Sequence, residues 1–250
     1  MSLTTAILIV GLVVVGAAAQ RMAGLGFALL IAPFMTLLLG AHSGVLLVNV
    51  LGVISSALIP PRVWRSVDWS MFRWLGAFAV CGAVLGSWLA LLFSPAVMAV
   101  AVGAIVMVAL GASLTLSGNR FSTDLRSPRV VAGFLSGLTN SLAGVGGPAV
   151  SAYAVLTRWP QATFAATLQP YFILIGGVSV ATKLFLDPVA LPPTEWWFWV
   201  VVFVSVIAGI VLGERLLKVV TPAQVRRFVI LLAFAGAAAS LIRGLVDLLA

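Results

Sequence analysis

The chain has 250 residues, of which 62% are hydrophobic and only 8% charged, where a soluble domain carries about a quarter; it reads as an integral membrane protein. At about 20 apolar residues per crossing, the length supplies roughly ten spans and leaves nothing for a domain outside the bilayer, so residues 1–250 form a single membrane domain. One His, one Cys and six acidic residues cannot furnish a metal cluster, an internal disulfide or paired carboxylates in an apolar run, which argues against an enzyme and against a cofactor. The net charge of +8 is carried by short loops as a topology signal, not as a nucleic-acid surface.

In chain order the apolar segments are Leu3–Ala19, Met22–Gly40, Gly44–Ile59, Phe72–Phe93 and Val97–Leu116, then Val130–Ala143, Gly144–Leu156, Phe164–Leu186, Trp196–Leu212 and Val225–Leu249. The first imitates a signal peptide, but Met1 to Thr5 carry no basic side chain, so it is kept as part of the mature protein. Val130–Ala143 and Gly144–Leu156 are each too short to cross and read as two half-helices broken at Gly144-Val145-Gly146-Gly147-Pro148. Such a break survives at depth only against protein or a cavity.

The two sets match. A shift of 120 residues lays Gln20 on Asn140, Gly24 on Gly144, Gly26 on Gly146 and Asn49 on Gln169, and a shift of 127 lays Gly82 and Gly86 on Gly209 and Gly213 and Ser94-Pro95-Ala96 on Thr221-Pro222-Ala223. Residues 1–118 and 129–250 are therefore predicted to be repeats of five hydrophobic segments, the whole being an all-α membrane protein of about 8–10 segments with interrupted or re-entrant helices. Basic loops near Arg62, Arg126 and Arg226, with Asp187 and Glu195 on the other side, put those loops in the cytoplasm. Both termini then face the periplasm and the repeats are inverted. The Gly-xxx-Gly helix faces would suit a homodimer in the lipid bilayer.

Inverted repeats with broken helices are the build of secondary transporters, whose site lies where half-helix ends converge. The helix starts after Gly24-Leu25-Gly26 and at Gly146-Gly147-Pro148 would point unpaired N–H groups and the positive dipole end at an anion. The alternative for these glycines is close packing alone. Arg21 either faces a cavity or an anion at depth, where an unpaired charge is costly, or lies in a loop between two crossing helices. Gln20, Asn49, Asn140 and Gln169 are amides at repeat-equivalent places that either donate to an oxyanion or tie helices together. Thr139, Ser141 and Tyr171 are weaker candidates of the same kind. Lys183 is expected to snorkel to the outer interface, His42 to be an exposed loop imidazole, and Cys81 to be a small packing residue.

Gln20-Arg21-Met22-Ala23-Gly24-Leu25-Gly26, with Pro33 beyond it, and Gly133 to Gly137, Asn140, Gly144-Val145-Gly146-Gly147-Pro148 resemble the paired glycine-rich motifs of the TauE/SafE family of sulfite and organosulfonate exporters. Arg158-Trp159-Pro160 and Ala165-Ala166-Thr167-Leu168 continue the second motif. Phe27 and Ala28 depart from the first, where the family often has further glycines. The resemblance implies a transporter of the bacterial inner membrane that exports small sulfur-containing anions such as sulfite or sulfoacetate. A passive anion channel lined by the same helix ends is the competing reading, and a scaffold for other membrane helices a third.

Overall fold

The structure, a computed structural model, describes residues 3–23, 27–59, 61–116, 126–187 and 195–249. Among them are ten α-helices and no strand: α1 Leu3–Ala23, α2 Phe27–Leu39, α3 Ala41–Ala57, α4 Trp69–Leu92, α5 Pro95–Leu116, α6 Arg126–Ala143, α7 Gly147–Leu156, α8 Gln161–Leu186, α9 Trp196–Leu216 and α10 Pro222–Leu249. Six of these (α1, α4, α5, α8, α9 and α10) are long and apolar enough to cross a bilayer. The surface agrees with that, since large apolar side chains such as Phe185, Trp196 and Leu231 stand exposed, as a lipid-facing surface requires and a watery one would not.

Local chemistry sets the helix starts. Asp68 accepts the Met71 N–H at 2.9 Å and begins α4. At α10 the Gln224 side chain accepts the Thr221 N–H at 2.9 Å while the Thr221 hydroxyl faces the Gln224 N–H at 3.4 Å, a reciprocal capping box. Ser94 holds the Val97 N–H at the matching start of α5. Gly40, at φ +83°, makes the turn from α2 into α3 in a conformation few side chains tolerate.

Two boundaries depart from expectation. Instead of turning at Gln20 and Arg21, α1 runs through both to Ala23; a polar side chain in a last turn that reaches the surface does not stop a helix, and a cation there complements the dipole. Likewise α6 starts a turn earlier, at Arg126, and has 18 residues, about 27 Å, so of the expected pair only α7, with ten residues, is short.

The helix register repeats along the chain. α2 and α3 begin at Phe27 and Ala41, α7 and α8 at Gly147 and Gln161, while α4 and α5 begin at Trp69 and Pro95 and α9 and α10 at Trp196 and Pro222. The close crossings repeat too. A Cβ on Gly82 or Gly86 of α4 would strike the Phe134 or Leu138 carbonyl of α6, and one on Gly209 or Gly213 of α9 would strike the Val14 or Ala18 carbonyl of α1. Both Gly-xxx-Gly faces are thus packed against helices of the same chain. Cys81 is exposed rather than packed beside Gly82, because the glycine face of α4, not its neighbour, meets α6.

Candidate functional site

The broken helix is built by α6 and α7. Gly144, at φ +73°, lets its N–H reach the Asn140 carbonyl at 2.8 Å, the single bond by which a left-handed residue closes a helix C-terminus, and the Val145 N–H reaches the Thr139 carbonyl at 3.4 Å. Ser136 donates to the Gly146 carbonyl at 2.6 Å and ties the break to α6. The chain then restarts as α7 at Gly147-Pro148, with Gly146 as an N-cap that offers no side chain. First-turn N–H groups therefore keep their donor capacity and the positive dipole end.

That helix start faces a cavity of about 1040 Å³. Gln20, Arg21, Asn49, Asn140, Gly144, Gly146, Gly147 and Pro148 all line it, together with Gly52, Ser151 and Arg158. The cavity has a wet end, with exposed Arg21, Arg158 and Gln161, and a dry floor at buried Val48, Asn49, Asn140 and Val145. Gln169 does not line it. Its amide donates to the Ala165 carbonyl at 3.0 Å and its oxygen is buried without a partner, so the repeat-equivalent of Asn49 turns toward its own helix. Gly24 and Gly26 lie outside the described residues.

The polar floor is a bridge between α3 and α6. Asn140 Nδ2 donates to Asn49 Oδ1 at 2.6 Å, and Asn49 Nδ2 donates to the Asn140 and Val45 carbonyls at 3.2 and 3.0 Å. Asn140 Nδ2 also reaches Ser179 Oγ at 3.3 Å. Both amide donors of each side chain are therefore committed, and the pair closes the cavity as it stands. Gln20 differs: its oxygen accepts from Ser55 at 2.8 Å, leaving its Nε2 donor without a partner among the described residues and on the cavity wall.

Charge at the mouth divides unequally. Arg21 Nε and Nη2 each donate to Glu214 Oε1 at 3.0 Å, with both side chains about half exposed, so this cation is balanced in the last turns of α1 and α9. Arg21 thus faces the cavity, as one sequence alternative has it, but at the exposed mouth and paired with a carboxylate rather than at depth. Arg158 makes no ion pair among the described residues. It holds φ +53°, the one left-handed non-glycine residue described, a conformation that costs of order 1–3 kcal/mol and clusters at functional sites. In the sequence Arg158 is legible as part of a motif; its lone charge and strained backbone are not.

Gly144 and Gly146 also sit in close packing. A Cβ on Gly146 would lie 2.7 Å from Ile175 Cδ1 and 2.9 Å from the Ser136 carbonyl, and one on Gly144 would lie 2.8 Å from Val48. Gly52 is the contrast, lining the cavity with nothing within 4 Å of its missing Cβ.

The family model described as Sulfite exporter TauE/SafE matches residues 7–240. The chain belongs to that family. No curated protein and no solved structure matches it. Members of TauE/SafE are transmembrane transporters rather than enzymes, and the apolar exterior and six long helices suit that class. In this TauE/SafE chain the polar residue that sequence reasoning placed wrongly is Lys183. It does not snorkel: it is 4% exposed, and its Nζ donates to the Ser141 carbonyl at 2.7 Å. His42 is half-buried in the first turn of α3, not in a loop, and Thr139 is spent on the Leu135 carbonyl of its own helix. Tyr171 is fully buried away from the cavity.

Proposed function

We propose that this chain is a secondary transporter that exports small sulfur-containing anions, sulfite, sulfoacetate or related organosulfonates, by alternating access. The observation that carries the reading is the N-terminus of α7, without a side-chain cap, on the wall of a cavity whose mouth carries Arg158, a charge with no ion pair among the described residues. An oxyanion would be held by N–H groups and dipole without a full charge at depth, and steered there by the field of the mouth. Family membership supports the sulfur-oxyanion class.

The closed floor favours a transporter over a passive channel, because the buried, mutually hydrogen-bonded Asn49–Asn140 pair stands across the inner end of the cavity. A repeated unit is supported by the equal helix registers and the equal glycine crossings, and the basic loops favour its inversion, with a cytoplasmic mouth in the inner membrane and periplasmic termini. The cavity captured is then the inward-open one. Gly52→Phe tests this: its Cβ meets no neighbour within 4 Å and its ring should project into the cavity and obstruct it, so the purified variant should keep its fold and lose sulfite exchange in proteoliposomes. Exchange by a folded Gly52→Phe protein at the parental rate would reject the cavity as the route.

A further inference from the structure

The Lys183 ammonium is the most deeply buried charge described, and the route just proposed does not use it. It lies 22 residues beyond Gln161 on α8, about 33 Å at 1.5 Å per residue, so it stands on the far side of the floor from the mouth. A hydrogen-bonded path joins it to the cavity: Asn140 Nδ2 to Ser179 Oγ at 3.3 Å, Ser179 Oγ to Ser141 Oγ at 2.6 Å, and Lys183 Nζ to the Ser141 carbonyl at 2.7 Å. Ser179 and Lys183 are one turn apart on one face of α8. Near the same end are His42, in the first turn of α3, and Asp187, the C-cap of α8, close enough that the imidazole feels both the Asp187 and Lys183 charges. Among the described residues no carboxylate is in ion-pair contact with Lys183.

An ammonium has three donors, and a neutral carbonyl compensates a buried cation poorly. In a membrane chain such a charge faces a pathway or a partner. We propose that Lys183 is the anion-holding cation of the outward-open state, forming with Ser179 and Asn140 a second oxyanion subsite beyond the Asn49–Asn140 floor. This rests on the transport reading above. In the present conformation the Ser141 carbonyl, in the last turn of α6, occupies the ammonium. Parting α8 from the end of α6 would release it to the cargo. The plainer role, Lys183 as a C-terminal cap of α6, makes the same contact but predicts different behaviour.

The test uses the full chain. Lys183→Met should bind sulfite from the cavity side as the parent does, because position 183 does not line the inward cavity. It should exchange sulfite in proteoliposomes roughly tenfold more slowly or worse, the loss of one charge-assisted contact, with Lys183→Arg recovering part of the rate. Parental exchange per folded molecule, with only a lowered melting temperature, would leave a cap and overturn the subsite. So would an equal loss of cavity affinity and exchange, which would put Lys183 at the inward site. Should Lys183→Met not fold, Lys183→Cys on a Cys81→Ala background decides: labelling by an impermeant thiol reagent from the outer face, slowed by sulfoacetate, supports the subsite, and no labelling from that face overturns it. If the parent itself moves neither sulfite nor sulfoacetate, the proposed substrate class falls, while the labelling still decides whether position 183 is reached from outside.

Discussion

The two helix pairs α1–α9 and α6–α4 cross on equivalent glycines and then end in opposite ways. A Cβ on Gly213 would lie 3.0 Å from Arg21 Cβ, and one on Gly86 would lie 3.0 Å from Ser141 Cβ. Next to those glycines stand Glu214 and Ser87. So where one crossing carries an exposed Arg21–Glu214 ion pair, the other carries buried Ser141 and Ser87, and its cation comes from another helix, as Lys183 of α8. The same kind of crossing thus carries an exposed ion pair in one half and a buried, hydrogen-bonded plug in the other. The two crossings share the glycines that set the helix distance and differ at the polar positions beside them.

The largest effects are expected at those glycines, and they should differ between the crossings. Gly133 and Gly137 of α6 also press on the Leu75 and Ala79 carbonyls of α4, whereas their counterparts on α1 are Val13 and Ala17. The α4–α6 crossing therefore has no room from either side. Gly82→Leu and Gly137→Leu should yield no folded protein, and Gly82→Ala should destabilise more than Gly209→Ala, each by about 1 to 3 kcal/mol of overpacking. Thermal unfolding of the two alanine variants in the same detergent makes the comparison; equal shifts would mean that the crossings are equally tight.

Next in size is the floor against its counterpart in the mouth. Asn140→Ala strands the Asn49 oxygen in a buried place and should destabilise by about 1 to 3 kcal/mol, while Gln20→Ala gives up a part-buried bond to Ser55 for about 0.5 to 1.5 kcal/mol. Function should divide the same way: Asn140→Ala loosens the plug and raises uncoupled anion leak through proteoliposomes, and Gln20→Ala changes cavity affinity without leak. Leak from both or from neither would break the distinction between plug and mouth.

How much of this was legible beforehand follows from what each feature depends on. The break at Gly144 to Gly146 could be read because a left-handed cap and a first-turn proline are local requirements that glycine and proline meet. The helix starts at Pro95 and Pro222 were legible for the same reason. Arg21 misled because its partner, Glu214, is 193 residues away, and no local pattern distinguishes a paired cation from a lone one. Lys183 misled further, since its acceptor is a backbone carbonyl that any residue would supply. Gln169 shows the limit of arguing by repeat: it aligns with Asn49, but α8 also packs on α4, and the side chain turns to its own helix.

A smaller effect is expected at Arg158, whose exposed charge no carboxylate balances among the described residues. Arg158→Ala should weaken sulfite binding by roughly fivefold at most, the scale of an exposed charge interaction. The weakening should vanish as salt is raised, since the Debye length falls to about 3 Å at 1 M. Arg158→Gly keeps the left-handed backbone without the side chain and should weaken binding equally; a clear difference between the two variants would assign the effect to backbone strain instead of charge.

The smallest and most discriminating effects lie in the ion pair itself. Because Arg21 and Glu214 share their charge at the mouth, removing either one alters the field there in opposite directions, and removing both should restore it. Glu214→Gln should tighten sulfite binding and Arg21→Ala should weaken it, each by a factor of roughly two to five, with both side chains exposed enough that solvent screens the interaction. The double variant Arg21→Ala with Glu214→Ala should bind like the parent. Were Arg21 instead a direct ligand of the anion, its loss would remove a charge-assisted bond whatever happened at Glu214, and the double variant would stay as weak as Arg21→Ala alone. Titrating sulfite into the parent, the two single variants and the double variant at low and high salt separates these outcomes. A double variant that keeps the full weakening would make Arg21 part of the site and end the picture of the mouth as a charge-balanced counterpart to the buried plug.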